Sequence, residues 1–296
     1  LNCLLYLILS IVFTSYLTLS FKVVGRFGIP VFQAIVFNYI TCVITGSLVN
    51  ASFPLNSQSI QEPWFGWALT MSCMFISIFN LIGFTAQKLG VAVASVSNKL
   101  SLVIPFVFSI YLYNETATWV KIAGILLALV AVVCTCLPGK EQSAKPGYSA
   151  GGVALLWPAV LFLSSGLLDT LVKYVQQTYL NESNNNAYLI TAFLGAATLG
   201  SIALVVLVAS GRMKFHPGSI LAGIAIGIPN YFSIWALVKV LKQYEGNSSA
   251  ILPINNMGIV LFSSVVAWLL FRERLSLLNW LGIVLSIAAI ALIAFG

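Results

Sequence analysis

Charge is what this chain has least of. Only 7% of its 296 residues are Asp, Glu, Lys or Arg, against 60% that are hydrophobic, with a mean hydropathy of +1.01. A soluble globule carries about a quarter charged residues, so a water-soluble fold is excluded. Period-two alternation is missing from the apolar runs, which excludes a membrane β-barrel. There is no phosphate loop of the form G-x-x-x-x-G-K-[ST] and no H-E-x-x-H. Gly147 to Gly151 matches G-x-S-x-G, but no strand precedes it, and the single histidine, His216, stands in another loop. Hydrolase chemistry therefore has no support. The five cysteines (Cys3, Cys42, Cys73, Cys134, Cys136) show no metal or redox spacing. They read as small buried hydrophobes, and neither a cofactor nor a metal is implied.

What remains is a series of long apolar runs. Runs of about 18 to 25 residues cross a hydrocarbon core about 30 Å thick, and without barrel patterning they must be helices to satisfy their backbone in lipid. Ten such spans are expected, at about 3–21, 31–49, 64–87, 91–112, 118–137, 152–173, 186–209, 218–240, 247–271 and 276–295. Gly, Pro, Asn or charge marks the breaks. The most polar break, 138–151, falls at the midpoint and joins two halves, 1–137 and 152–296.

The halves repeat. A shift of 158 lays residues 91–137 over 249–295, bringing Asn98 onto Asn256, Glu115 onto Glu273, Thr118 onto Ser276 and Gly124 onto Gly282. Apolar coincidences are common in so hydrophobic a chain; an Asn, a Glu and a Gly at one offset are not. A shift of 151 brings Lys22 onto Lys173, and one of 152 brings Phe79 onto Tyr231. Five is odd, so the second copy enters the membrane from the opposite face. The expected fold is an all-α membrane protein of ten transmembrane helices in two inverted five-helix repeats, a transporter architecture with its site near the midplane.

Lys22 closing the first span, a short turn between spans 3 and 4, and the hairpin Glu273 to Ser276 followed by Gly282 together resemble the EamA family of the drug/metabolite transporter superfamily. The resemblance covers nearly the whole chain. The first-half copy, Glu115 to Thr118, lacks the Arg but keeps Glu115 and Gly124. It implies a central cavity lined mainly by spans 1 to 4 and 6 to 9, with spans 5 and 10 outside it. Members carry amino acids, sugars and other small metabolites, often outward.

Each polar feature has a plain and a functional reading. Thr118 and Ser276 are good N-caps for spans 5 and 10, and a carboxylate at Glu115 or Glu273 suits a helix N-terminus; proton coupling is the alternative. Lys99 begins about 12 Å into span 4 at 1.5 Å per residue. It either snorkels or faces a cavity and attracts a substrate carboxylate or phosphate. Asn98 and Asn256 either bind solute or hydrogen-bond between helices. Asp169 and Lys173, four apart on one helix face, neutralise each other or relay protons. Lys22 has no such partner within its helix and either snorkels or takes part in coupling. Asn38, Tyr39, Asn80 and Asn230 add polar groups at depth, with Pro229 loosening span 8. Phe79, Tyr231 and Trp235 lie deep enough to touch an apolar substrate, whereas Trp64, Trp67, Trp119 and Trp280 fit an interfacial belt. Gly223 and Gly227 permit close helix contact.

The net charge of +7 suits anionic headgroups, and no nucleic-acid module is visible. The odd-numbered loops hold most of the bases, which places both termini outside; the resemblance implies both in the cytoplasm. No cleavable signal peptide is evident. The expected protein is a multi-pass transporter of a cell membrane, as in a bacterial inner membrane. It would move an amino acid or similar metabolite, outward, by alternating access. Its partners would be that small-molecule substrate and the lipid bilayer, and it would act as a monomer or weak homodimer. The rival readings are a membrane-embedded receptor or regulator that binds without transport, and a pore.

Overall fold

The structure, a computed structural model, describes residues 2–51, 53, 55–56, 59–113, 118–137, 153–181, 184–243, 248–273 and 275–295. Glu115, Arg274 and the 138–151 linker with its Gly147 to Gly151 segment lie outside the described residues. The helices are α1 (Asn2–Arg26), α2 (Val31–Val49), α3 (Phe65–Lys88), α4 (Val91–Leu100), α5 (Val103–Tyr113), α6 (Trp119–Cys136), α7 (Val153–Tyr179), α8 (Asn185–Ala209), α9 (Gly218–Gln243), α10 (Ser248–Phe271) and α11 (Leu277–Phe295). No strand occurs among the described residues. Among the described residues, eight helical segments are long and apolar enough to cross a membrane, with α4 and the start of α5 counted together, and α6 and α11 are shorter apolar helices. The chain is a multi-pass α-helical membrane protein.

Two helices run further than their apolar stretch suggests: α1 continues to Arg26 and α7 to Tyr179. The span expected at 91–112 is broken at Ser101 and Leu102. The cause is Pro105, which lacks an N–H and whose ring conflicts with the carbonyl four residues back, that of Ser101. The Ile104 N–H takes the Ser101 carbonyl instead, at 2.9 Å. The Ser101 hydroxyl donates to the Asn98 carbonyl at 2.5 Å, closing the end of α4.

The chain forms two compact units. Unit 1 comprises Leu1–Lys22, Ile82–Leu167 and Phe232–Gly296; unit 2 comprises Val23–Leu81 and Leu168–Tyr231. Each draws on both halves of the sequence, and α1, α3, α7 and α9 contribute to both.

In unit 1 the principal core gathers Val96, Leu100, Val103, Ala128, Ala131, Phe162, Val260, Ile283 and Ile290. Here α6 and α11 pack antiparallel. A Cβ on Gly124 would lie 2.8 Å from Ile293 Cγ1, and one on Gly282 would lie 2.6 Å from the Thr135 backbone nitrogen. Gly124 and Gly282 are 158 apart, and so are Thr135 and Ile293, so the shift turns one contact into the other. Thr118 caps α6 by accepting from the Lys121 N–H at 3.3 Å. Ser276 and Asn279 cap α11 reciprocally, at 2.9 and 3.2 Å. The Asn279 amide also donates to the Cys134, Thr135 and Leu137 carbonyls at 3.2, 2.9 and 2.9 Å, tying the end of α6 to the start of α11.

Unit 2 repeats the antiparallel arrangement with α2 and α8. A Cβ on Gly46 would meet Ile190 Cγ1 at 3.1 Å, and one on Gly200 would meet Val36 Cγ2 at 2.8 Å. A shift of 154 carries Val36 to Ile190 and Gly46 to Gly200, again exchanging the two contacts. Against α2 also lies α9, running in the same direction. A Cβ on Gly223 would lie 2.8 Å from the Phe37 carbonyl carbon, and one on Gly227 2.7 Å from the Asn38 carbonyl oxygen. Small residues at this spacing let two backbones touch, which is how helices gain contact where lipid supplies no hydrophobic drive. A second core of Trp64, Ala68, Met71, Val175, Tyr188 and Ala192 joins α3, α7 and α8.

The fully buried Gln33 holds the α8–α9 loop onto α2. Its amide donates to the Lys214 carbonyl at 2.8 Å, while its oxygen accepts from the His216 N–H and the Ser219 hydroxyl, each at 3.0 Å. Gln33→Leu is expected to lower stability by about 1–2 kcal/mol. Trypsin should then cut the exposed Arg212 and Lys214 faster in the variant than in the parent. Equal cleavage rates would show that the loop holds itself.

Candidate functional site

An electrostatic node in unit 1 is built where four helix ends meet. Lys22, in the last turns of α1, donates to Glu273 Oε1 at 2.9 Å, with the two side chains 20% and 8% exposed. The same oxygen accepts from the Val91 N–H at 2.9 Å, so Glu273 also caps the start of α4. Four donors are orphaned at a helix N-terminus, and the end is positively polarised; a carboxylate is the natural acceptor. Access to that N–H depends on Gly90. Its φ of +111° is closed to ordinary L-residues, and a Cβ there would stand 3.0 Å from Glu273 Oε2. Gln87 donates to the Phe21 carbonyl at 2.9 Å, and Leu19, Ala86, Val91, Ala94 and Ala267 form the apolar floor.

Lys22, whose two readings from the sequence are snorkelling and coupling, is thus paired with Glu273. Ser276, with Asn279, caps the helix that follows, while the Glu273 carboxylate serves the start of α4. Asn98 and Lys99 occupy the last turn of α4, half-buried and immediately before the break. A cation in that position complements the negative end of a helix. Asn256, half-buried on α10, belongs to the same unit, and α4 packs on α10. Trp235 is half-buried in an edge-on contact with Tyr6 at 5.6 Å and under the Lys239 ammonium at 5.5 Å.

In unit 2 the buried Asn230 amide donates to Asn38 Oδ1 at 3.1 Å. The Cys42 sulfur sits 3.4 Å from the Gly227 carbonyl and 3.8 Å from Asn38 Oδ1, and Asn38 Nδ2 is buried without a hydrogen-bond partner among the described residues. Tyr39 is wholly buried, donates to the Phe75 carbonyl at 2.9 Å, and packs its ring against Phe75, Phe79 and Phe193. Asn80 bonds its own helix, donating to the Ile76 carbonyl at 2.6 Å. Tyr231 reaches the end of α2, where its hydroxyl lies 3.5 Å from Asn50 Nδ2, and Asn186 donates to Asn50 at 3.0 Å. Asp169 is exposed and Lys173 half-buried on α7.

The structure therefore brings together Asn38 with Asn230, and Tyr39 with Phe79, in unit 2. Lys22, Asn98, Lys99, Trp235 and Asn256 belong to unit 1. Reading the sequence alone missed Gln33, Asn279, Pro105 and the partner of Lys22. Ser276-x-x-Asn279 has the spacing of a capping box and was open to recognition; the packing of Gln33 carried no local signal.

No family model matches the chain. A protein of Haemophilus influenzae, described as uncharacterized, is 26% identical over 292 residues, covering 96% of this chain and 95% of its own. A crystal structure of a protein 15% identical covers 98% of this chain and 96% of its own, with a TM-score of 0.61. The helical fold is shared nearly end to end. At that identity the likeness is one of fold.

Proposed function

We propose that the chain moves a small organic solute across its membrane by alternating access, through ten crossings arranged as two inverted five-helix repeats, as in the EamA family it resembles. The observation that carries this reading is the exchange of contacts under the sequence shift. Gly124 against Ile293 becomes Gly282 against Thr135, and Gly46 against Ile190 becomes Gly200 against Val36. Two copies of one unit related by a two-fold axis perpendicular to their helices produce this pattern, and inverted repeats of that kind belong to secondary transporters.

Within unit 1 the α4–α10 pair is the candidate for the solute's polar end. It carries Asn98, Lys99 and Asn256, and α4 stops short at a proline-driven break, a feature that leaves backbone groups available beside a cavity. The class of cargo is an amino acid or similar metabolite, taken by its carboxylate, and moved outward.

Counterflow in proteoliposomes preloaded with candidate amino acids is the test. Saturable exchange is expected, and Lys99→Ala should reduce it about tenfold, the scale of one charge-assisted contact, while lowering stability by only about 1 kcal/mol, the scale of a cation at a helix C-terminus. Conductance without saturation would mark a pore, and binding without exchange a receptor. A Lys99→Ala protein that exchanges normally would remove this residue from the site.

A further inference from the structure

One end of unit 2 concentrates bases. The end of α1 and the turn after it present Arg26 and Phe27, and the α8–α9 loop presents Arg212, Lys214, Phe215 and His216, all exposed. The two segments lie side by side: Gln33 at the start of α2 bonds the loop at Lys214, His216 and Ser219. A Cβ on Gly218 would stand 3.4 Å from Ile29 Cδ1, and the Phe37 and Phe215 rings meet at 6.2 Å. No Asp or Glu occurs in residues 23–36 or 205–222. The opposite end of the unit is of another character. Its loops, 50–64 and 180–185, hold no Lys or Arg, and Trp64, Trp67, Tyr174, Tyr179 and Tyr188 gather there in ring contacts.

Such polarity along a bundle of apolar helices selects for a surface that is negative at one end only. Phosphates of anionic lipids supply it, because bases near an anionic leaflet gain from its surface potential while exposed rings enter the layer beneath the headgroups. The staple at Gln33 fixes the loop beforehand, so little ordering entropy opposes the contact. We propose that this end of unit 2 docks on the headgroup layer of an anionic leaflet, with Arg26, Arg212 and Lys214 on lipid phosphates and the Phe27 and Phe215 rings in the layer below.

The test is thermal unfolding of the purified full chain in micelles doped with phosphatidylglycerol or phosphatidylcholine, since a ligand of the folded state raises its apparent stability. Phosphatidylglycerol is expected to raise the midpoint and phosphatidylcholine to leave it unchanged. Each of Arg26→Gln, Arg212→Gln and Lys214→Gln should weaken the apparent lipid affinity about fivefold, and the three together about 100-fold. Lys121→Gln, which removes a base held over the Phe106 ring in unit 1, should keep the full shift. If the triple variant fails to fold, the three single variants give the answer. No difference between the two lipids, retention of the shift in these variants, or an equal shift from inorganic phosphate alone would overturn the proposal.

Discussion

Glu273→Ala is expected to lower the stability of the chain by about 2–4 kcal/mol, a little under the range of about 3–5 kcal/mol for removing one partner of a fully buried charge pair. Two groups lose their acceptor at once: the Lys22 ammonium, only 20% exposed, and the Val91 N–H at the start of α4. Glu273→Gln keeps an oxygen for Val91 and loses only the charge, so it should sit about halfway. Lys22→Met leaves Glu273 with its backbone donor and removes the buried ammonium, and should forfeit about 1–2 kcal/mol. The double variant Lys22→Met with Glu273→Gln should lose less than the sum of the singles, because both remove the same interaction. Thermal unfolding of the four proteins decides it. Additive losses, or a Glu273→Ala midpoint equal to that of the parent, would mean that the two residues do not act together.

The second large effect concerns the α6–α11 crossing. At Gly282 an added Cβ meets backbone, the Thr135 nitrogen at 2.6 Å and the Ala131 carbonyl oxygen at 2.9 Å. Backbone cannot rotate aside, so the helices must part. Gly282→Val should forfeit about 3 kcal/mol, the upper end of what overpacking commonly removes. At Gly124 the nearest atom is a side-chain carbon, Ile293 Cγ1 at 2.8 Å, and backbone begins only at 3.1 Å, so more of the overlap can be relieved without parting the helices. Gly124→Val should therefore lose less. The ranking is the informative part: the two glycines are sequence mates, and only the surroundings distinguish them. Unfolding midpoints in the reverse order would show that the crossing relaxes by another route.

Much of the helical layout is legible in the sequence because a bilayer imposes it. The stretch 31–49 is a helix with those bounds, since lipid leaves its backbone no other partner. The mates Gly124 and Gly282 were visible as an offset before any contact was known. The pairing of Lys22 with Glu273 was not visible, because 251 positions separate them and the local pattern offers Glu273 a nearer helix to cap. A clue existed: both stand at odd-numbered turns, which alternation of spans brings to one membrane face. Asn38 and Asn230 were each recognisable as polar groups at depth, yet their meeting depends on the register of α2 against α9. Gly223 and Gly227 set that register through contacts that no helical period reveals. Pro105 should have raised the question of a broken fourth span. What hid it is that three other prolines, Pro158, Pro229 and Pro253, are accommodated inside continuous helices.

Because the two units interleave along the chain, synthesis on the ribosome finishes them at different times. All of unit 2 has been made once Tyr231 is added, while unit 1 still lacks everything from Phe232 onward, Glu273 included. The nascent α1 must therefore wait through most of translation for the turn that follows α10. During that interval the ammonium of Lys22 lacks the Glu273 carboxylate it finally pairs with, and water or lipid headgroups at the membrane surface are its ready substitutes until the last hairpin arrives.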